Sequence, residues 1–97
     1  MAKQFYVYIL ASKRNGTLYT GVTSHLIQRV WQHKHDVIQG FTRKYNVKTL
    51  VYHEVHENAE SALTREKKIK RWRRAWKLAL IEDSNPEWRD LYEDILG

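Results

Sequence analysis

The sequence predicts an α+β protein in which a small three-stranded antiparallel sheet is flanked by helices. Three segments rich in aromatic and β-branched residues favour strands, at residues 5–11, 17–23 and 49–55. Apolar residues recur at helical spacing between the second and third strands, and again from residue 59 onward. The predicted order of elements is therefore β-β-α-β-α-α-α.

The first two strands are expected to form a hairpin, because turn-forming residues separate them. With a loop of about four residues, from Ser12 to Asn15, Tyr8 falls opposite Tyr19 and their side chains share a face. The third strand is expected to pair with this hairpin, since an isolated two-stranded hairpin is only marginally stable.

Four helices are predicted. Ser24 is expected to cap the first, over residues 25–35, and Asn58 the second, over residues 59–72. The first helix carries its apolar stripe on Leu26, Ile27, Val30 and Trp31. A third helix is expected over residues 73–83 and a short terminal one from Asn85-Pro86. The segment 36–46, with Gly40 as a breaker, is predicted to be a loop.

The composition is that of an ordinary soluble chain, with 42% hydrophobic and 29% charged residues. A length of 97 residues fits one domain, residues 1–97. No stretch approaches about 18 consecutive apolar residues and the first residues lack a signal-peptide pattern, so we expect a cytoplasmic protein without a membrane partner. The lack of cysteine excludes disulfides, thiolate zinc sites and cysteine nucleophiles.

The net charge of +6 is unevenly distributed. Residues 82–97 hold six acids and one base, which leaves +11 on residues 1–81. A basic body favours an anionic partner such as nucleic acid. A solvated basic surface without a partner accounts for the charge equally well.

Glu66 is a carboxylate on a predicted core-facing stripe. At 100° per residue it lies between Ala62 and Ile69 on their face of the helix. Burial of a carboxylate is costly without compensation, which a metal ion or a neighbouring lysine or arginine can provide. For Glu66 alone an ion pair is the simpler interpretation. Oxygen ligands with bound waters would suit Mg²⁺ or Mn²⁺.

Arg29 and His33 are four residues apart and therefore neighbours at the edge of the first helix's apolar stripe. Arginine can grip a phosphate through two hydrogen bonds, and histidine can relay a proton near neutral pH. Tyr8 and Tyr19 would share a sheet face. Taken singly, the first pair is better explained by a basic surface and the second by ordinary packing.

A run of eight bases extends from residue 65 to residue 77, with Trp72 and Trp76 interleaved. We expect the tryptophans to be mostly core and the bases to bind phosphates, since lysine and arginine supply sequence-independent affinity. Besides Arg65, the run consists of Lys67, Lys68, Lys70, Arg71, Arg73, Arg74 and Lys77.

Taken together, these features resemble the GIY-YIG nuclease domain. They are Tyr6-Val7-Tyr8, Tyr19-Thr20-Gly21, Arg29, His33 and Glu66, in that order. The family includes the incision module of an excision-repair nuclease, homing endonucleases and some restriction enzymes. The resemblance covers residues 5–92 and is strongest with a small stand-alone bacterial group.

Four positions depart from the family pattern. Tyr6 replaces the glycine of the first motif, and Thr20 replaces the middle residue of the second. Leu78 lies where many members carry a polar residue, and Val22 where some carry a lysine. None of these changes removes a side chain of the core set.

The resemblance implies a metal-dependent endonuclease that hydrolyses phosphodiester bonds in DNA. Glu66 would hold one Mg²⁺ or Mn²⁺, and Arg29 would neutralise charge on the phosphate. Tyr8 would act as general base on the attacking water, while His33 and Tyr19 orient that water or relay its proton. The product would carry a 5′-phosphate.

Two alternatives remain at this stage. One is a non-catalytic nucleic-acid-binding module that uses the basic helix 65–77. The other is a protein-interaction module whose acidic end, residues 82–94, contacts a partner or covers the chain's own basic surface. A partner protein or a homodimer would also be a source of site specificity. DNA versus RNA, the strand form and the pathway are open.

Overall fold

The computed structural model describes residues 3–97. Residues 1 and 2 of the predicted domain lie outside the described residues. Three strands form one antiparallel sheet in the order β2-β1-β3. The strands are β1 (Phe5–Ala11), β2 (Leu18–Thr23) and β3 (Thr49–His56). The predicted fold class, a small three-stranded antiparallel sheet flanked by helices, is confirmed.

The register of the β1–β2 hairpin differs from the prediction by two residues. Tyr8 pairs with Gly21, and Tyr19 pairs with Leu10. The loop covers residues 12–17 instead of 12–15, and it is closed by a hydrogen bond from the Ser12 amide to the Thr17 carbonyl (3.0 Å). Because side chains alternate across a strand, a shift of two residues keeps Tyr8 and Tyr19 on the same face.

Across residues 3–97, five helices accompany the sheet. They are α1 (Leu26–Lys34), α2 (Phe41–Lys44), α3 (Ala59–Arg71), α4 (Arg74–Ser84) and α5 (Tyr92–Leu96). The short α2 lies in the segment that was predicted as a loop, and α5 begins well after the predicted start at Pro86. The remaining helices match their predicted positions to within two residues at each end.

One of the two predicted helix caps is present. The Asn58 side chain accepts a hydrogen bond from the Ser61 amide (2.8 Å) at the start of α3. Ser24 does not cap α1, because its hydroxyl instead contacts the His25 ring (3.0 Å). The His25 amide at this end donates to Thr23 Oγ1 (3.0 Å).

The two faces of the sheet support separate hydrophobic clusters, as strand alternation requires. On one face, residues such as Val7 and Ile9 pack with side chains of α3 and α4 and with Trp88. On the other, Tyr8 and Leu10 pack with Leu26 and Val30 of α1. Tyr8 therefore lies beneath α1.

α1 is rotated relative to the predicted stripe. His33 is buried with Leu26 and Val30, whereas Ile27 and Trp31 are 44% and 45% exposed. The polar ring of His33 can be buried here because both of its nitrogens have hydrogen-bond partners, described below. The prediction that Ile27 and Trp31 belong to the buried stripe is wrong.

The segment that follows α4 is attached to the outer side of β3. The buried Asn85 side chain donates hydrogen bonds to the carbonyls of Val51 (3.1 Å) and Arg89 (2.9 Å). The Leu91 amide donates to the Leu50 carbonyl (2.8 Å). These bonds hold residues 85–91 in an irregular conformation, which is why α5 begins only at Tyr92. Within residues 3–97, the helices are all too short or too polar to cross a bilayer.

Candidate active site

The centre of the site is a pair of buried side chains, Tyr8 on β1 and His33 on α1. The Tyr8 hydroxyl and His33 Nε2 are 3.1 Å apart. On its other side, His33 Nδ1 is 3.0 Å from Thr42 Oγ1 of α2. When Nδ1 carries the proton it donates to Thr42, and Nε2 accepts the hydrogen bond from Tyr8. The position of the Tyr8 hydroxyl is thus fixed by β1, which carries it, and by α1 and α2, which carry its hydrogen-bond partners.

His33 is a neutral imidazole at physiological pH. Burial, and secondly the positive charge of Arg29, lower its pKa from 6.5 to about 4. A neutral ring keeps one nitrogen free to accept a hydrogen bond. His33 is therefore suited to orient Tyr8 rather than to carry a positive charge in the ground state.

The pKa of Tyr8 is raised by its burial and, to a lesser extent, by the nearby Tyr19. Arg29 acts in the opposite direction, because its positive charge favours a phenolate. Glu66 is close enough for its charge to raise the same pKa. Tyr8 is thus a neutral phenol in this state, and additional positive charge would be needed to ionise it.

Tyr19 completes an aromatic cluster around His33. Its ring centroid lies 6.3 Å from that of Tyr8 and 5.6 Å from that of His33. Its other neighbour is Phe41 of α2, stacked at 6.4 Å. The predicted shared face of the two tyrosines is therefore observed, although the strands reach it with a different register.

Glu66 approaches this cluster from α3. Its side chain is 12% exposed and pairs with Lys70, one turn further along the helix (Nζ to Oε2, 3.1 Å). The Lys70 ammonium also lies 5.9 Å from the centre of the Tyr19 ring. The structure thus contains the ion pair that was one of the two interpretations of Glu66.

Arg29, on α1, is half-buried near Tyr8 and His33. Among residues 3–97, no carboxylate lies within ion-pair distance of its guanidinium. An arginine in that situation retains its hydrogen-bonding capacity for an anion such as a phosphate.

The donor set around Glu66 limits which metal ion would fit. In the described part of the chain, no three acidic, histidine or cysteine side chains are grouped to hold an ion. A cation at Glu66 would therefore have one protein carboxylate and take its other ligands from water and substrate. Mg²⁺ is commonly bound in this way, with one or two carboxylates and the phosphates of a substrate. Glu66 fits such an ion and does not fit a structural zinc site.

α2 adds residues that the sequence analysis did not select. Thr42 is buried and contacts His33, whereas Phe41 and Tyr45 are 46% and 48% exposed. The rings of Phe41 and Tyr45 are 4.9 Å apart, and the Lys44 ammonium lies over Tyr45. The aromatic and basic composition of residues 41–45 is the signal in the sequence that indicates this surface, although the segment 36–46 is predicted to be a loop.

The basic run 65–77 spans the junction of two helices, as the predicted helices 59–72 and 73–83 imply, and it is not one continuous basic helix. α3 ends at Arg71, α4 begins at Arg74, and the backbone between them is extended. Trp72 is half-buried, but Trp76 is 53% exposed, so the expectation that both tryptophans are core is wrong for Trp76. The exposed bases are Lys67, Lys68, Lys70, Arg71, Arg73 and Arg74, and Lys77 is half-buried.

These bases have different surroundings. The Arg74 guanidinium donates to the carbonyls of Asn15 (2.7 Å) and Gly16 (2.6 Å) in the hairpin loop. Lys77 Nζ is 3.3 Å from the Lys70 carbonyl. Arg65, which begins the run, pairs with Glu54 (3.1 Å). Part of the basic run is therefore occupied with internal contacts.

The acidic end of the chain contacts a basic residue of α1. Asp90 forms an ion pair with Lys34, which also lies over the Tyr92 ring. The C-terminal segment thus covers part of the chain's own basic surface. Leu78 lies where many members of the GIY-YIG family carry a polar residue. Here its side chain packs against the hydrophobic cluster beneath α3 and α4.

Comparisons with known proteins bear on the family and the fold of this chain. The model of the GIY-YIG catalytic domain matches residues 4–79. A UPF0213 protein of Clostridium perfringens is 40% identical over 80 residues, covering 82% of this chain and 85% of the relative. A UPF0213 protein of Staphylococcus haemolyticus is 37% identical over 83 residues, covering 86% and 99%. The solution NMR structure of a UPF0213 protein from Bacillus halodurans has a TM-score of 0.56 at 26% identity, covering 90% of this chain and 92% of that one.

Proposed function

This chain belongs to the GIY-YIG catalytic domain family, and on that premise we propose that it is a divalent-metal-dependent endonuclease that hydrolyses phosphodiester bonds in DNA. The observation that carries the proposal is the convergence of β1, β2, α1 and α3 on one cluster. That cluster combines a hydrogen-bonded Tyr8–His33 pair with Tyr19, a nearby arginine and a half-buried carboxylate.

Tyr8 is the proposed general base. As His33 Nε2 takes up the hydroxyl proton of Tyr8, the resulting phenolate would accept a proton from the attacking water and become a phenol again. Because its pKa is raised by burial, ionisation depends on the positive charge of Arg29 and of a bound cation. Tyr8 is 1% exposed without substrate, so a local side-chain movement that admits water is part of the proposal.

Arg29 and Glu66 are the proposed electrostatic residues. Arg29 would stabilise negative charge that develops on the phosphoryl oxygens. Glu66 would hold Mg²⁺ or Mn²⁺, which when bound polarises the scissile phosphate and stabilises the leaving oxygen. Tyr19 borders both the Tyr8 ring and the ammonium beside Glu66, where it would orient the water. The product would carry a 5′-phosphate.

The substrate is proposed to lie across two basic surfaces that border this cluster. One is the exposed face of α3 and the start of α4, where lysine and arginine would contact phosphates. The other is α2, where Arg43 and Lys44 lie in sequence between Phe41 and Tyr45, whose exposed rings could stack on bases. Both surfaces suit a nucleic acid and offer little to a small uncharged substrate.

Cleavage of end-labelled single-stranded and double-stranded DNA tests the proposal. Native protein, Glu66→Ala and Glu60→Ala would be compared with Mg²⁺, with Mn²⁺ and with chelator. Glu60 is an exposed glutamate in the first turn of α3, so it is a matched control. Metal-dependent cutting that is lost only in Glu66→Ala supports the endonuclease. Salt-sensitive DNA binding without cutting would instead support a non-catalytic binding module.

A further inference from the structure

Lys70 lies between two residues of the proposed active site. Its ammonium is 3.1 Å from the Glu66 carboxylate and 5.9 Å from the centre of the Tyr19 ring. Two other bases of α3, Lys67 and Arg71, form no ion pair with Glu66 in the described part of the chain. Lys70 is thus distinguished from the rest of the basic run by its position.

The Glu66 carboxylate needs a cation in this environment. Its side chain is only 12% exposed, and an ionised carboxylate removed from water is costly unless it is paired. Lys70 supplies that charge from one turn away, while its own side chain remains 49% exposed. The pair therefore joins a half-buried acid to a base that can move into solvent without disturbing the helix.

We propose that Lys70 is the built-in counter-ion of Glu66 in the metal-free protein, and that a divalent ion binds in competition with it. This inference rests on the proposed function, because it takes Glu66 as the metal ligand. An ammonium and a divalent cation repel each other strongly at contact distance, so they cannot both occupy the same carboxylate oxygens. Lysine suits the role because its charge is compact and carried on a flexible stem.

Displacement of Lys70 has two consequences for the site. Part of the affinity of Glu66 for a cation is used to break the existing ion pair, so the resting protein binds metal more weakly than a bare carboxylate would. The displaced ammonium stays attached to α3 beside Tyr19, where it adds a positive charge at the edge of the site. Metal binding would thus add the charge of the ion and also move the Lys70 charge away from Glu66, toward the edge of the site.

The test is a titration of DNA-free protein with Mn²⁺. The electron paramagnetic resonance signal of the free ion reports how much Mn²⁺ is bound. Lys70→Gln removes the competing charge, and Lys67→Gln removes an exposed charge of the same helix that does not pair with Glu66. We expect Lys70→Gln to bind Mn²⁺ about two- to fivefold more tightly than the native protein, the range expected for a partly exposed ion pair. Lys67→Gln should show a clearly smaller change.

Each variant is then combined with Glu66→Gln, so that two kinds of failure are distinguishable. If binding depends on Glu66 but Lys70→Gln and Lys67→Gln have equal affinities, the competition is refuted and the proposed metal ligand stands. If Mn²⁺ binding does not depend on Glu66 in any background, both proposals are refuted. Thermal unfolding of all variants establishes that each is folded during the titration.

Discussion

Gly21 lies directly opposite Tyr8 across the β1–β2 pair, and a Cβ atom at residue 21 would be 2.5 Å from both Cζ and Oη of Tyr8. The glycine therefore provides the space that the end of the tyrosine ring occupies. The Tyr8 hydroxyl also bonds to His33. Its position therefore depends on both strands of the hairpin, on β1 for the tyrosine and on β2 for the glycine that leaves room for its ring.

Gly21→Ala should destabilise the protein by about 1–3 kcal/mol, because the buried ring of Tyr8 cannot move away from the added methyl group without repacking. Urea unfolding measures this cost, and DNA cleavage should fall with it. In a Tyr8→Leu background the same substitution should cost clearly less. An equal cost in both backgrounds would show that the contact between these residues is not the cause.

Tyr8→Phe should reduce the cleavage rate by about 10²–10⁴-fold if Tyr8 is the general base. It should also cost about 1 kcal/mol of stability, because the hydrogen bond to His33 is lost. Tyr6→Phe is the matched control on the same strand, since the Tyr6 hydroxyl bonds to Gln4 at the surface. Single-turnover rates should separate the two variants, and an unchanged rate for Tyr8→Phe would remove it from the catalytic role.

The His33 pKa predicts a loss of stability in acid. Its pKa is about 4 in the folded protein and near 6.5 when unfolded, so the unfolded chain takes up the proton first as the pH falls. The contribution of neutral His33 is complete above the unfolded pKa and is lost as the pH falls toward the folded pKa, by up to about 3 kcal/mol.

Urea unfolding of the native protein and of His33→Gln, at pH values from 7 to 4, isolates this contribution. The native protein should lose more stability than the variant over that interval, because glutamine does not titrate. Parallel stability curves for the two proteins would show that His33 is protonated equally in both states.

The exposed rings of α2 predict a preference for unpaired bases. Phe41→Ala and Tyr45→Ala should each weaken binding to single-stranded DNA by about tenfold, in the range of one lost base–aromatic stack, and affect duplex binding less. Trp31→Ala is the control, because its ring is similarly exposed but lies on α1 and stacks on His35. Fluorescence anisotropy would measure both affinities. Equal losses on both substrates would point to a general contact instead of stacking.

Two arginines of the basic run should behave differently. Arg71→Gln should weaken DNA binding and lower the salt dependence by about one phosphate contact, with little change in stability. Arg74→Gln should lower stability as well, because its guanidinium holds two carbonyls of the hairpin loop. Binding over a salt series and urea unfolding together test this distinction. Identical effects of the two variants would contradict it.

The sequence predicted the strands well because their apolar and β-branched character is local. It did not predict the hairpin register, since that depends on a loop closed by contacts between Ser12 and Thr17. The shared face of Tyr8 and Tyr19 was nevertheless predicted, because an error of two residues does not change which side of a strand a residue faces.

The partners within the site were harder to predict. Thr42 contacts His33 through the tertiary fold, and nothing in their sequence spacing indicates a hydrogen bond. The rotation of α1 has the same origin, since the hydrogen bonds of His33 allow it to be buried in preference to Trp31. In contrast, the Glu66–Lys70 pair follows from helical spacing alone and was available in the sequence.

The attachment of residues 85–91 to β3 also covers part of an edge of the sheet. β3 is an edge strand, and unpaired main-chain groups on such a strand are a template for pairing with another chain. On that edge, the Asn85 side chain donates a hydrogen bond to the Val51 carbonyl and the Leu91 amide donates one to the Leu50 carbonyl. A chain shortened before Asn85 would leave this part of the edge open, and its characteristic failure would be strand-to-strand aggregation as well as lost stability.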